Sequence, residues 1–225
     1  CLVGSEMCIR DRDNCPVIVH TMLAFQRHPD ITAVAVVCLG GWETVLSSYA
    51  HQYNVSKLRW IFAGGINGQE SISNGIYGLK KNGVKKDDLV LIHDAVRPLV
   101  SQSIISSNIA ICKQYGYAIT GIQCREAILE SDDGFCSVTS IPRDKLIRTQ
   151  TPQTFRLENI INVHEQAKSK GIINSVSSCT LLAELGGYEM HIVPGEERNI
   201  KITTTEDLEI FKVLRQTSKE DWLKL

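Results

Sequence analysis

Apolar and polar positions along the chain follow two repeating patterns, which predict a succession of strands and helices. Apolar residues recur with helical spacing in Pro16–His28, whereas Ile31–Leu39 is an almost continuous apolar run. A continuous run is typical of a parallel strand buried on both faces. The same patterns predict further helices over 42–53, 70–81 and 101–115, and further strands over 58–63 and 89–94.

Strands that alternate with helices of about 10–15 residues indicate βαβ units. We therefore predict an α/β fold of the Rossmann-like, doubly wound type, with a mostly parallel sheet. The pattern then changes: after a strand over 118–124, two short apolar runs (127–129 and 137–141) flank the turn signal Ser131–Gly134. This arrangement predicts a projecting β-hairpin arm over about residues 122–150.

The last third of the chain returns to alternation. Gln150–Phe155 is predicted to be a rigid polar turn before a helix, and Ile200–Ile202 a short strand before the final helix. That helix begins with hydroxyl and acidic residues, which are favoured at helix amino ends. The remaining predictions are helices over 157–170 and 178–185 and a strand over 189–193.

Composition narrows the class of protein. The 225 residues carry a net charge of −1 and are 43% hydrophobic, a soluble balance that gives no sign of binding nucleic acid. No apolar run approaches the roughly 18 residues of a membrane span. The eight cysteines form no Cys-x-x-Cys pair, so reduced thiols are predicted, with zinc or disulfides as alternatives. Residues 1–12 (CLVGSEMCIRDR) are predicted to be a non-native, adaptor-like segment, or else a short tail, ahead of a single domain over 13–225.

Charged residues stand at the predicted carboxyl end of the strand over 89–94. Asp94 ends this strand, Arg97 follows three residues later, and Pro98 prevents its continuation. Ligands of open α/β sheets bind at this edge. A carboxylate there is suited to Mg²⁺ and a guanidinium to phosphate. The alternatives are a carboxylate that caps the next turn and an arginine in a surface ion pair.

Two other strand ends carry candidates for the same cleft. Gly64 and Gly65 allow the backbone to approach a ligand closely, and Ser71 supplies a hydroxyl at the start of the next helix. Lys201 precedes the last helix, where its ammonium could neutralise charge on a phosphoryl group. The alternatives are glycines that serve only the turn and a solvated lysine.

Together, four motifs resemble one family in order and spacing, from about Pro16 to Arg215: HDAVRP (93–98), GG…S (64, 65 and 71), QTPQTF (150–155) and NIKITT (199–204). The chain resembles the cytidylyltransferases that act on methylerythritol phosphate or ribitol 5-phosphate. The resemblance implies the nucleotide-diphospho-sugar transferase type of fold. It also implies a cytoplasmic homodimer, joined through the arm, that transfers CMP from CTP to an alditol phosphate with Mg²⁺ in isoprenoid or teichoic acid biosynthesis.

The resemblance also implies roles for individual residues. Asp94 would bind Mg²⁺, Lys201 would contact the α-phosphate and the incoming phosphate, and Arg97 would hold phosphate near the acceptor. The cytidine site would be lined by Gly64, Gly65, Ser71 and Ala95. The acceptor phosphate would be bound by Arg125, Arg143 and Thr151, the last two reaching into the neighbouring subunit's site.

The chain departs from the family pattern in places. The family begins with a strand and a glycine-rich phosphate loop that nothing before Pro16 matches, so we expect the printed chain to lack both and to be impaired. Gly68 stands where the family usually has Arg, and Glu126-Ala127 where it has Asp-Thr, whereas Arg143-Asp144 is closer to the ribitol branch. A non-catalytic nucleotide-binding module is the alternative. An NAD(P)-dependent oxidoreductase would need a Gly-x-Gly-x-x-Gly that this sequence lacks.

Overall fold

The computed structural model describes residues 15–216, and the predicted residues 1–12 segment lies outside them. Helices and strands alternate as predicted in the first half: α1 (Val17–Gln26), β1 (Val34–Cys38), α2 (Glu43–Gln52), β2 (Leu58–Ala63), α3 (Gly68–Lys81), β3 (Leu89–Ile92) and α4 (Gln102–Tyr115). The second half contains β4 (Tyr117–Gln123), β5 (Ile128–Glu130), β6 (Thr139–Ile141), β7 (Ile147–Arg156), α5 (Leu157–Ser169), α6 (Ser178–Leu185), β8 (His191–Pro194) and α7 (Thr205–Gln216).

The main sheet has the strand order β3-β7-β4-β8. β7 runs antiparallel to both of its neighbours, and β4 and β8 are parallel, so β3, β4 and β8 share one direction. β1 and β2 form a separate parallel pair. The predicted α/β fold with a mostly parallel sheet is confirmed.

Helices cover both faces of the sheet, as expected for a doubly wound fold. On one face, α3, α5 and α6 bury an apolar core that includes Ile119 and Phe155. On the other, α1 and α4 pack against the first residues of β1 and β3 through Phe25 and Ile105. The hairpin β5–β6 confirms the predicted arm. None of the described helices is long and apolar enough to cross a membrane, and no two of the six described cysteines form a disulfide.

Two sequence predictions were wrong. Gln150–Phe155 is not a turn but most of β7, a strand between two others. Its proline is accommodated because the β4 register is irregular between Ile119 and Gly121, where the Thr120 hydroxyl donates to the Pro152 carbonyl at 2.6 Å. The predicted strand at Ile200–Ile202 is a loop. It is fixed by a hydrogen bond from the Ile202 N–H to the Val96 carbonyl at 2.9 Å.

An open slot separates β1 from β3. Among the described strands, β1 is hydrogen-bonded only to β2, and β3 only to β7. A cavity of about 590 Å³ lies between them and is lined by residues of both strands. Consequently all four residues of β3, a continuous apolar run, are only half-buried.

Candidate active site

Asp94 lies two residues beyond the end of β3 and faces two cations. Its Oδ2 accepts a hydrogen bond from Arg97 Nε at 3.1 Å and lies 3.4 Å from Lys201 Nζ. Burial acts to raise the pKa of Asp94, but the nearby charges of Lys201 and Arg97 outweigh it, so the pKa lies below the ordinary value. The carboxylate is therefore ionised at neutral pH. The three predicted residues do converge at the carboxyl ends of the strands.

A hydrogen-bonded chain through Thr151 fixes the backbone of Asp94. The Asp94 N–H donates to Thr151 Oγ1 at 3.0 Å, and the same hydroxyl lies 3.1 Å from His93 Nδ1. His93 Nε2 lies 3.1 Å from the carbonyl of Arg97, which can only accept. His93 is thus a neutral imidazole that donates from Nε2 and accepts from Thr151 at Nδ1. Burial lowers its pKa to about 4, which agrees with this neutral form.

A second set of hydrogen bonds holds the loop that carries Lys201. Arg97 Nη1 donates to the carbonyl of Asn199 at 2.7 Å, and Asn199 Nδ2 donates to the carbonyl of Thr151 at 2.9 Å. Gln150 Nε2 donates to the carbonyl of Glu196 at 2.9 Å. Asn199 is completely buried, whereas the Lys201 side chain is about half exposed. The loop is rigid at its base and presents the ammonium to solvent.

The predicted nucleotide-binding residues form a tight turn after β2. Ser71 is buried; its hydroxyl accepts from the Gly65 N–H at 3.0 Å and donates to the carbonyl of Asn67 at 2.8 Å. A Cβ on Gly65 would collide with the side chain of Glu70, so the turn requires glycine there. Gly64 donates its N–H to the carbonyl of Cys38 at 2.6 Å, which ties the turn to the end of β1.

The remaining predicted residues lie either close to Asp94 or at the base of the arm. Ala95 is buried beside Asp94, and its carbonyl accepts from the Thr21 hydroxyl at 2.6 Å. Thr151 lies in the site of its own chain, where its hydroxyl is engaged with His93 and Asp94. Arg125 and Arg143 are exposed at the base of the arm, where the Arg143 guanidinium donates to the carbonyl of Arg125.

Sequence reasoning assigned no role to His93, Gln150 or Asn199, although all three lie in the motifs that carried the resemblance. They contact the site through hydrogen bonds to residues as many as 102 positions away. Such contacts leave no periodic signal in a single sequence. The one available indication was that these polar residues adjoin the charged positions.

The donor set at Asp94 suits Mg²⁺ rather than a transition metal. No group of three His, Cys, Asp or Glu side chains that could hold a metal ion occurs within residues 15–216. Mg²⁺ is commonly bound by one or two carboxylates together with substrate phosphates. Oδ2 of Asp94 faces Arg97 and Lys201, whereas Oδ1 accepts no hydrogen bond from the described residues. The residues present therefore fit this ion.

Comparisons with known proteins identify the family of the chain. The family model described as "IspD: 2-C-methyl-D-erythritol 4-phosphate cytidylyltransferase" matches residues 4–216. The chain belongs to this family. The cytidylyltransferase family predicted from the four motifs is thus confirmed.

Two curated relatives illustrate the range of the family. A ribitol-5-phosphate cytidylyltransferase of Lacticaseibacillus paracasei is 35% identical over 199 residues, covering 88% of this chain and 84% of the relative. A 2-C-methyl-D-erythritol 4-phosphate cytidylyltransferase of Clostridium acetobutylicum is 34% identical over 195 residues, covering 86% and 82%. Identity to these two relatives therefore does not separate the two acceptors.

Solved structures share the fold. The 4-diphosphocytidyl-2C-methyl-D-erythritol synthase of Anaerococcus prevotii superposes with a TM-score of 0.82 at 24% identity, covering 95% of this chain and 94% of that one. The 2-C-methyl-D-erythritol 4-phosphate cytidylyltransferase of Thermus thermophilus gives 0.77 at 23% identity, covering 95% of each chain. At these identities the likeness establishes the architecture of this IspD-family chain.

Proposed function

We propose that this IspD-family chain transfers CMP from CTP to an alditol phosphate and releases pyrophosphate. The observation that carries the proposal is the ion-pair cluster at the carboxyl end of β3, where Asp94 meets Arg97 and Lys201. The turn of Gly65 and Ser71 lies at the end of β2, on the same edge. A carboxylate for Mg²⁺, two cations and a glycine turn suit a nucleoside triphosphate.

In this reaction an oxygen of the acceptor phosphate attacks the α-phosphorus of CTP. The bond from the α-phosphorus to the bridging oxygen breaks, and pyrophosphate leaves with the electron pair. Phosphoryl and nucleotidyl transfer depends mainly on positioning and on neutralising charge. Lys201, half exposed on a loop that is rigid at its base, supplies charge at the α-phosphate, and Arg97 holds both Asp94 and the Asn199 loop in place.

Mg²⁺ bound at Asp94 would supply additional positive charge to the CTP phosphates. The protein's part is to keep this carboxylate ionised and directed toward the cleft. The charges of Lys201 and Arg97 keep it ionised, and the hydrogen bond from the Asp94 N–H to Thr151 keeps it directed toward the cleft.

We propose ribitol 5-phosphate as the first acceptor to test, with 2-C-methyl-D-erythritol 4-phosphate as the second. Arg143-Asp144 and the names of the ribitol relatives support this order. We further propose a cytoplasmic homodimer joined through the arm, which carries Leu129, Phe135 and Val138 at 64%, 93% and 104% exposure. Cysteines that form no disulfide with one another, as in the described residues, are usual in a reducing compartment. In such a dimer, Arg125 and Arg143 of one copy would bind acceptor phosphate in the other.

The test is an assay of pyrophosphate release from CTP and Mg²⁺, with each acceptor offered separately. Asp94→Asn and Lys201→Ala should each lower kcat by about 10²–10³-fold, as for the loss of one group that stabilises transition-state charge. Lys81→Ala, at the exposed end of α3, is the matched control and should leave kcat unchanged. A folded protein that binds CTP but releases no pyrophosphate with either acceptor would instead support the nucleotide-binding module.

A further inference from the structure

A carboxylate outside the candidate active site connects the chain after β8 to the amino end of α4. Glu196, two residues beyond β8, accepts at Oε1 from the Ser101 hydroxyl at 2.7 Å, and the Ser103 hydroxyl lies 3.4 Å away. Ser101 is also the cap of α4, since its Oγ accepts from the Ile104 N–H at 3.3 Å. Within residues 15–216 the Glu196 carboxylate forms no salt bridge. Its side-chain partners there are the hydroxyls at the start of this helix.

The amino end of α4 favours a negative charge. The N–H groups in the first turn of a helix carry a partial positive charge, and the first turn of α4 contains no acidic residue. Glu196 supplies this charge from another segment. Hydrogen bonds to an ionised acceptor are shorter and stronger than those to a neutral one, which agrees with the 2.7 Å distance to Ser101. The contact is therefore suited to hold the loop against α4.

The backbone of Glu196 is held as well. Gln150 on β7 donates from Nε2 to the carbonyl of Glu196 at 2.9 Å and accepts at Oε1 from its N–H at 3.3 Å. The same carbonyl accepts from the Asn199 N–H at 3.0 Å, which closes a tight turn. Glu196 is thus fixed through its side chain to α4 and through its backbone to β7, just before the residues that carry Lys201.

Two segments of the chain contact each other at both of their ends. One segment leads from Asp94 to Ser101, and the other from Glu196 to Lys201. At one end Lys201 Nζ lies 3.4 Å from Asp94 Oδ2, and at the other end lies the hydrogen bond from Ser101 to Glu196. Between them, Arg97 donates to a backbone carbonyl of the second segment at 2.7 Å. Loss of the Glu196 contact would leave this segment freer to move away from α4, and the Lys201 ammonium would move with it.

We propose that Glu196 is a positioning residue, which sets Lys201 opposite Asp94 by anchoring their loop to the amino end of α4. This inference rests on the proposed function, in which Lys201 supplies charge at the α-phosphate. A displacement of about 1 Å caused by a substitution away from the chemistry can lower the rate by about 100-fold. Loss of the anchor should therefore lower kcat more than it raises the KM for CTP.

Three variants test the proposal. Glu196→Ala removes the anchor, and Glu196→Gln keeps an acceptor oxygen without the charge. Glu197→Ala is the matched control: Glu197 is the next residue of the same loop, but its carboxylate pairs with Arg148 on β7 at 2.6 Å. Removal of a loop carboxylate is thus separated from removal of the contact with α4.

Amide hydrogen exchange measures the anchor without measuring activity. The Ile202 N–H donates to the carbonyl of Val96 and so reports on the contact between the two segments, whereas the Phe155 N–H in β7 is the internal reference. In Glu196→Ala, exchange at Ile202 should be about tenfold faster than in the native protein, with Phe155 unchanged. Glu196→Gln and Glu197→Ala should stay close to the native rate. Unchanged exchange at Ile202 would overturn the proposal, and so would equal acceleration at Phe155, because the whole domain would then be destabilised.

Steady-state kinetics of pyrophosphate release measure the consequence for Lys201. We expect kcat to fall about tenfold in Glu196→Ala with the KM for CTP changed less than about twofold, and Glu196→Gln to stay within about threefold of the native kcat. Glu197→Ala should keep the native kcat. Faster exchange at Ile202 with a native kcat in Glu196→Ala would overturn the positioning role. A native protein that releases no pyrophosphate would overturn the proposed function, whereas native exchange in Glu196→Ala would overturn the anchor alone.

Discussion

At the residue scale, Thr151 connects the backbone of Asp94 to the sheet. Its hydroxyl accepts from the Asp94 N–H and donates to the half-buried, neutral imidazole of His93, so the direction of every proton in this chain of bonds is fixed. The imidazole in turn holds the carbonyl of Arg97, the residue whose guanidinium pairs with Asp94. The polypeptide from His93 to Arg97 is thus held as a closed loop around the carboxylate.

Replacing the hydroxyl should loosen this loop. Thr151→Val keeps the side-chain shape but leaves the Asp94 N–H and His93 Nδ1 unpaired, at a cost of about 1–3 kcal/mol. We expect kcat to fall about 10–100-fold and the KM for CTP to change less, as measured by steady-state kinetics. Thr151→Ser retains the hydroxyl and should retain most of the activity. Equal losses in the two variants would contradict this role.

The buried imidazole of His164, on α5, predicts how stability depends on pH. Burial lowers the pKa of His164 from its ordinary 6.5 to about 4, and its Nε2 has no hydrogen-bond partner among the described residues. As pH falls from 6.5 toward 4, the unfolded chain takes up a proton that the folded chain does not. The contribution of His164 to the free energy of unfolding should therefore decrease by about 3 kcal/mol at most over this window.

Urea unfolding of the native protein and of His164→Leu at pH 7, 5.5 and 4.5 measures this effect. The variant should lose less stability between pH 7 and pH 4.5 than the native protein. His51→Gln, at an exposed position on α2, is the control and should follow the native curve. A His164→Leu curve parallel to the native one would exclude His164 as a source of the pH dependence.

At the scale of elements, β7 shows where a single sequence is least informative. The run Gln150–Gln153 is polar and contains a proline, which is typical of a turn, yet it occupies a strand with a partner on each side. Buried hydrogen bonds stabilise it instead of apolar alternation: Gln153 Oε1 accepts from the Cys179 N–H at 2.9 Å. The elements with clear periodicity, such as α3 and α5, were predicted to within a few residues.

Exposed apolar side chains on the arm favour a role in assembly. Phe135 and Val138 are almost fully exposed on the hairpin, an arrangement that favours burial against another copy. We expect Phe135→Ser with Val138→Ser to shift the protein from dimer to monomer in sedimentation velocity. Ile210→Ser, at a half-exposed apolar position on α7, should leave the dimer intact. A native protein that is monomeric at all concentrations would contradict the proposed dimer.

At the scale of the whole molecule, the fold class and the meeting of Asp94, Arg97 and Lys201 could be predicted from the sequence. The position of Asp94 follows from the rule that the carboxyl ends of parallel strands share an edge, whereas Lys201 reaches that edge on a loop and not at the strand end that was predicted. The hydrogen bonds that hold the Lys201 loop could not be predicted, because Gln150 and Asn199 form them with backbone atoms of distant segments. Their identity in the sequence does not indicate which carbonyl they meet.

Ligand binding should stabilise the whole domain. CTP with Mg²⁺ at about 100 times its Kd should add about 2.7 kcal/mol to the free energy of unfolding, which raises the Tm by about 5–10 °C. Differential scanning calorimetry with Mg²⁺ and with EDTA separates the contribution of the ion. In Asp94→Asn the difference between these two conditions should largely disappear. A Mg²⁺-dependent shift that persists in Asp94→Asn would place the ion elsewhere.

β7 is one continuous strand from Ile147 at the base of the arm to Arg156, with Thr151 in between. Four residues of extended chain, about 13 Å, therefore separate the base of the arm from Thr151, whose hydroxyl binds the Asp94 N–H. Over Ile147–Thr149 the strand is hydrogen-bonded to β4, and β3 pairs with it from Gln153 onward. If association through the arm changes the affinity of the Asp94 site for a ligand, thermodynamic reciprocity requires that this ligand change the association constant by the same factor.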